Sequence, residues 1–535
     1  MTATGLARAV VQRLLDAGVT EVVVAPGSRN APLSFAAFAA AEAGLVRLHT
    51  RLDERSAGFL ALGLSKQGNR AAVLCTSGTA VANLHPAMLE AVHAEVPLVV
   101  VSADRPVRLR GTGANQVTDQ VGVFGGLVVT HDVVEALPED TLATRGPVHL
   151  NVQLDDPLLP PASDAGWQPA SGSGATDASR VREERPAAVE LPLGPRTVVV
   201  AGDGAGPPAR GLAERAGWPL LAEPSSGSRT GELALRCYRL LLGGSLGAEI
   251  ERIVVLGRPT LSRPVTQLLA RRDVEVVAVP TPGVWARRPF PVASSAAHPV
   301  VTGPDRDNAD WLETWREADR TTGRRLDALL AAEPDLTPYE AVGAVSRAVP
   351  PEGLLFVGPS SPIRDLDLMA RPTPVGSRRK TVSNRGLSGI DGVVSTAIGV
   401  ALARDAQRGS SRSLALLGDV TFLHDSNGLV LGPGQPTPDL TIVVVNDDGG
   451  SIFTMLEQGA PEHADRFEAL FGTPHGVDIG SLCAATRTPH LRVTSLPELE
   501  QALASPNGGI EVVEVVVRRD NRRDLDERIR ALGSA

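Results

Sequence analysis

Eight short runs of β-branched and aliphatic residues each end in a turn of small or polar residues: EVVVAPGS, AAVLCTSG, PLVVVSADRP, RTVVVAGDG, RIVVLGRP, LLFVGPSS, SLALLGDV and TIVVVNDD. Runs of this kind, separated by segments of helical length, predict strands of parallel α/β sheets covered on both faces. The opening segment places Leu6, Val10, Leu14 and Leu15 among Arg8, Arg13 and Asp16, the pattern of an amphipathic helix. It lacks the continuous apolar core of a signal peptide. No apolar run approaches membrane-spanning length, so no membrane span is expected. Ligands of parallel α/β sheets bind beyond the carboxyl ends of the strands, so the residues just after each run are the ones to examine for function.

Between about Pro157 and Pro195 the rhythm breaks. LLPPASDAGWQPASGSGATDAS is rich in Pro, Ser, Gly and Ala and reads as an interdomain linker. A second boundary falls in DALLAAEPDLTPYEAV, where Thr337 or Pro338 begins a new helix. A chain of 535 residues exceeds what one core serves. The expected division is a first domain over 1–160, a linker over 161–194, a middle domain over 195–332 and a third domain over 333–535. The fold class is α/β, three domains with mostly parallel sheets.

Composition narrows the function. A net charge of -9 argues against a nucleic-acid partner, while leaving room for a local basic site for an anion. Cys75, Cys237 and Cys483 are far apart and form no CxxC pair, which speaks against a zinc site or a disulfide framework and fits a reducing, cytoplasmic setting. Lysine occurs only at Lys66 and Lys380, so cationic chemistry falls to arginine. Arg29, Arg105, Arg364 and Arg385 lie in or near the strand-end loops, and arginine is the planar partner of carboxylates.

Two strand ends carry carboxylates. Asp419 follows SLALLG, and Asp447 and Asp448 follow TIVVVN. A hard divalent cation takes carboxylate, carbonyl and phosphate oxygens, and glycines such as Gly449 and Gly450 let the backbone approach a phosphate closely. Taken singly, Asp419 reads equally as a helix cap and NDDGG as a turn. Glu54, in LDERSAGFLALGLSK, is by itself an acid in a first helical turn, where the dipole favours it. VAGDGAG imitates a dinucleotide fingerprint, but a lone glycine pattern is a weak signal. The histidines show no metal-ligand spacing, and His424, soon after Asp419, is read as structural.

GDV, a 25-residue gap and NDDGG together resemble the thiamin-diphosphate motif, written GDG, a gap, then NN. Val420 stands in place of the last Gly and Asp447 in place of the second Asn. The resemblance implies that Asp419, Asp447 and the carbonyl of Gly449 bind Mg2+ (or Mn2+). It places Gly418, Gly450 and Ile452 at the cofactor as well. It also implies that Glu54 hydrogen-bonds the aminopyrimidine ring nitrogen as the catalytic acid, and that Ile390 forces the cofactor's bent conformation. APGSRNAP, ADRP, GTGANQ and SNRGLSGIDG resemble the 2-succinyl-5-enolpyruvyl-6-hydroxy-3-cyclohexene-1-carboxylate synthases of menaquinone biosynthesis.

That resemblance implies a transferase. It would decarboxylate 2-oxoglutarate and add the succinyl carbanion to isochorismate in a 1,4-addition. Substrate would be lined by Ser28, Arg29, Arg105, Asn115, Gln116, Ser360, Arg364, Arg385 and Phe453. The domains would be pyrimidine-binding, middle, and diphosphate- and magnesium-binding, in a homodimer or homotetramer with the site at the subunit interface. Another thiamin-diphosphate decarboxylase or carboligase, such as acetohydroxyacid synthase, is the alternative, as is a non-catalytic nucleotide-binding protein on the same fold. Monocarboxylate substrates do not call for so many arginines.

Overall fold

The computed structural model describes residues 1–135, 137–138, 140–144, 146–162, 164, 166–172, 187–281, 287–301, 307, 309–377, 379–408 and 412–533. Among these, three parallel sheets dominate. In the first, β1 (Val19–Val24), β2 (Arg47–Thr50), β3 (Arg70–Cys75), β4 (Val99–Asp104), β5 (Val129–Val133) and β6 (Val148–Gln153) lie in the order β2-β1-β3-β4-β6-β5. Next along the chain come β7 (Ala188–Glu190), β8 (Thr197–Ala201), β9 (Leu220–Ala222), β10 (Arg252–Leu256), β11 (Glu275–Ala278), β12 (Ser294–Ser295) and β13 (His298–Val300). Strands β8 to β12 form the second sheet, in the order β12-β11-β10-β8-β9, while β7 pairs with β13. In the third, β14 (Leu354–Val357), β15 (Lys380–Ser383), β16 (Ser413–Gly418), β17 (Leu440–Asn446), β18 (His490–Val493) and β19 (Ile510–Val516) lie in the order β15-β14-β16-β17-β19-β18. The eight sequence runs are β1, β3, β4, β8, β10, β14, β16 and β17. They are mostly apolar because each has a neighbour on both edges and cover on both faces.

The residues fall into two compact units, Met1–Arg182 with Gly386–Ser411 and Phe422–Asp439, and Glu183–Arg385 with Arg412–Thr421 and Leu440–Ala535. In the first unit the helix Glu54–Ser65 is buried along its length from Ser56 onward. It crosses the helix Val393–Arg408 at glycines: a Cβ on Gly63 would lie 2.3 Å from the Thr396 carbonyl oxygen, and one on Gly399 2.3 Å from that of Leu60. Fully buried Asp425 joins the two, accepting from Ser395 N at 2.7 Å and Ser56 Oγ at 3.2 Å.

In the second unit one core takes Cys237, Leu240 and Leu261 together with Val357, Leu416, Val443 and Val515 of the third sheet. Buried Arg229 reinforces it, donating to the Asp367 carbonyl at 2.6 Å and carboxylate at 3.2 Å, while Tyr238 Oη donates to the same carboxylate at 2.7 Å. Thr337 caps the helix Pro338–Ala348 in a reciprocal box with Glu340. Of the linker expected over 161–194, residues 163, 165 and 173–186 lie outside the described residues. Its last part is not a free connector, because β7 pairs with β13.

Candidate active site

Six predicted residues gather at the carboxyl edge of the first sheet. Ser28 and Arg29 follow β1, Glu54 opens the helix after β2, and Arg105, Asn115 and Gln116 follow β4. Gly27 lets the first loop reach the loop after β3, since a Cβ there would lie 2.4 Å from Thr76 Cβ. Buried Arg105 donates to Ser77 Oγ at 2.9 Å and to the Gln116 carbonyl at 3.1 Å. Gln116, at φ 60°, returns a bond from Nε2 to the Ser77 carbonyl at 2.9 Å. Burial lowers the Arg105 pKa, and the nearby Arg29 charge lowers it further. Two guanidiniums on one strand edge favour an anion there. Arg29 is held by the Leu154 carbonyl at 3.2 Å and by Asp156 at 3.5 Å. Glu54 occupies the first turn of its helix, after the N-cap Asp53, with Asn83 Nδ2 at 3.5 Å. Ile390 belongs to this unit too; its segment is tied down where Glu90 accepts from Gly386 N at 2.8 Å and Leu387 N at 2.7 Å. The His424 ring lies 4.0 Å from Asp391, and the His424 carbonyl accepts from Arg55 Nη2 at 2.7 Å.

The second unit brings together the remaining candidates at the carboxyl edge of the third sheet. Ser360, at φ 77°, follows β14, and its carbonyl accepts from Arg364 Nη1 at 2.7 Å. Burial and the Arg385 charge both lower the Arg364 pKa. Buried Arg385 follows β15 and donates to Thr260 Oγ1 at 2.8 Å. Glu223, which the sequence reading missed, lies beyond β9: its Oε1 accepts from Leu261 N at 3.0 Å, and its buried Oε2 has no partner among the described residues. Burial pushes its carboxyl up to about 8, against the opposing pull of Leu261 N–H and Arg385. The VAGDGAG turn is closed rather than open to a nucleotide, because a Cβ on Gly202 would meet Pro259 N at 2.1 Å and Asp203 pairs with Arg258 at 3.0 Å.

Asp419 and Asp447 end adjoining strands β16 and β17. Asp419 Oδ1 accepts from Val420 N at 2.7 Å, and Oδ2 accepts from Gly449 N at 2.9 Å. His475 Nε2 lies 3.2 Å from the same Oδ2, a contact that no sequence spacing announced. Asp447 Oδ1 is buried without a hydrogen-bond partner among the described residues. Burial raises both carboxyl pKa values, and the Asp419 charge raises that of Asp447 further. A cation beside the pair would offset both the burial cost and the mutual repulsion. Gly449, at φ 142°, and Gly450 pass so close to the chain that a Cβ would lie 2.1 Å from the Gly472 oxygen and 2.2 Å from the Phe471 oxygen. Ile452 and Phe453 follow in the turn Ser451–Met455, with the Phe453 ring 5.8 Å from that of Phe471. The orphaned carboxylate oxygen and the side-chain-free cradle fit a divalent cation and a diphosphate, with Asp419, Asp447 and the Gly449 carbonyl as the oxygen donors and Gly418 beside them.

Comparison with known proteins bears on both edges. Residues 4–123 match the family model described as "Thiamine pyrophosphate enzyme, N-terminal TPP binding domain". A protein of Nocardioides sp. named 2-succinyl-5-enolpyruvyl-6-hydroxy-3-cyclohexene-1-carboxylate synthase is 67% identical over 99% of this chain and 98% of its own length. A protein of Kineococcus radiotolerans with the same name is 47% identical over 99% and 98%. Benzoylformate decarboxylase from Polynucleobacter necessarius shares the fold, with a TM-score of 0.65 at 18% identity over 97% of this chain and 99% of that one.

Proposed function

The chain belongs to the 2-succinyl-5-enolpyruvyl-6-hydroxy-3-cyclohexene-1-carboxylate synthase family, and from that premise we propose how its two strand edges divide the work. It is a thiamin-diphosphate-dependent transferase of menaquinone biosynthesis. Its substrates are 2-oxoglutarate and isochorismate, joined by decarboxylation of the first and 1,4-addition of the succinyl unit to the second. When bound, thiamin diphosphate supplies the electron sink for decarboxylating a 2-oxoacid.

The residues act around it. Asp419, Asp447 and the Gly449 carbonyl hold Mg2+ or Mn2+, and Gly418, Gly450 and Ile452 line the diphosphate. Glu54 would hold a proton at the ring nitrogen of the bound cofactor, and Ile390 would pack against it. Arg29, Arg105, Arg364 and Arg385 neutralise and orient carboxylates, assisted by Ser28, Asn115, Gln116, Ser360 and Phe453. Buried guanidiniums are already desolvated, so they hold a carboxylate more firmly than exposed ones do. The division into pyrimidine-binding, middle, and diphosphate- and magnesium-binding domains, the cytoplasmic location, and a homodimer or homotetramer with the site at the subunit interface belong to the same reading.

The observation that carries this reading is the pair of buried carboxylates on adjoining strand ends over a glycine cradle. The test is consumption of isochorismate by purified protein, omitting thiamin diphosphate, Mg2+ and 2-oxoglutarate in turn. Loss that requires all three, with carbon dioxide released, is expected. Decarboxylation of 2-oxoglutarate with isochorismate untouched would refute the acceptor.

A further inference from the structure

We propose that His475 is a positioning residue that fixes the Asp419 carboxylate for the divalent cation, an inference resting on the assignment of Asp419 and Asp447 to that cation. Hydrogen bonding settles the ring's tautomer. Val477 N donates to His475 Nδ1 at 3.0 Å, so Nδ1 carries no proton and Nε2 does. Nε2–H therefore donates to Asp419 Oδ2 at 3.2 Å. Asp448 Oδ1 lies 3.4 Å from Nδ1, but it already accepts from His475 N at 3.1 Å and Gly476 N at 2.8 Å.

Lone pairs then decide which oxygen of Asp419 is free. Oδ2 takes two donors, Gly449 N–H and His475 Nε2–H, which fill its in-plane capacity. Oδ1 takes one, from Val420 N, and keeps a lone pair for a metal. Without His475 the carboxylate loses the donor that distinguishes its two oxygens most strongly from outside its own turn. Outer partners of this kind orient the ligand and sharpen affinity in metal sites.

The arrangement also gives the last acid of NDDGG a task. Asp448, at φ 58°, is not offered to the cation; it clamps the backbone of the loop that carries His475. Arg519 in turn holds the Asp448 carbonyl at 2.6 Å. Asp447 and Asp448 thus serve one site in different ways, one facing the metal and one fastening the side chain behind its neighbour.

The test is Mn2+ binding, read by the electron paramagnetic resonance of free Mn2+ in the presence of thiamin diphosphate, for the full-length protein and its variants. His475→Ala should weaken Mn2+ about 10- to 100-fold. His475→Gln, whose amide can donate in the same direction, should restore most of that loss, whereas His475→Met, which fills the space without a donor, should not; equal recovery in both would reduce His475 to a space-filling role. Asp448→Ala should weaken Mn2+ by releasing the loop, which keeps the idea testable if His475→Ala folds poorly. Asp419→Ala must lose Mn2+ as the control. Wild-type affinity in His475→Ala beside a dead Asp419→Ala would overturn the role of His475 and leave the ligand assignment standing. Unchanged affinity in Asp419→Ala would overturn both.

Discussion

Glu223→Gln should remove a pH-dependent loss of stability from the protein. In the folded chain burial holds the Glu223 proton up to about pH 8, whereas an unfolded glutamate releases it near 4.5. Between those values the folded state binds more protons than the unfolded one, so stability falls as pH rises across that window and levels off above it. At about 1.4 kcal/mol per tenfold in proton affinity, the span from 4.5 to about 8 corresponds to about 5 kcal/mol. Gln is neutral throughout, still accepts from Leu261 N, and places an amide where Oε2 lacks a partner among the described residues. The assay is urea unfolding of both proteins at one concentration, at steps from about pH 5 to about pH 8. Wild type and variant should nearly coincide at the acid end, with the variant gaining steadily toward the alkaline end. Other buried acids, including Asp365 and Asp425, remain in both proteins and cancel in the difference. A constant offset across the series would refute the reasoning.

Three more substitutions probe the site. Glu54→Gln should cut turnover about 10²- to 10⁴-fold while calorimetry still finds thiamin diphosphate binding with Mg2+; near-normal turnover would remove Glu54 from its role. Arg105→Met leaves Ser77 Oγ and the Gln116 carbonyl without their charged donor, and should raise the KM for 2-oxoglutarate by about 10- to 100-fold; an unchanged KM would separate Arg105 from the substrate. Gly449→Ala forces a Cβ to 2.3 Å from Arg519 Nη1 at φ 142°, at a cost of about 1–3 kcal/mol, and should lower the thermal midpoint and abolish diphosphate binding; a midpoint equal to wild type would show that the cradle yields.

The sequence reading succeeded where one physical rule sufficed. Buried parallel strands are mostly apolar and ligands meet their carboxyl ends, so the strand-end positions of Asp419, Asp447 and Arg105 were legible from the rule, whereas Glu54 follows the short polar strand RLHT and was named only through the family resemblance. Strands with buried polar residues escaped it. In β19, Glu511 and Glu514 are buried yet satisfied, by Thr441 Oγ1 at 2.6 Å and Asn446 Nδ2 at 2.7 Å, so EVVEVV did not read as a core strand. Likewise β6 carries fully buried His149 and Asn151, each with partners on β4. Glu223 could have been found by the same strand-end rule, but its strand is only three residues long. His475 could not, because it sits in a loop far along the chain from Asp419, and only the folded backbone brings the two together.

The crossing of the two glycine-matched helices has a consequence for biosynthesis. The first sheet leaves the ribosome early, but its unit is completed only when Gly386–Ser411 and Phe422–Asp439 have been made, about 250 residues later. At roughly 5–20 residues per second this wait is on the order of 10–50 s. Throughout it, the flank of Glu54–Ser65 around Gly63 lacks the helix that covers it, leaving small apolar residues open to chaperones or to neighbouring nascent chains. A fragment ending near Arg182 would keep that flank bare permanently. Soluble yield in a host should therefore depend on translation speed through the middle of the message as much as on the stability of the finished protein.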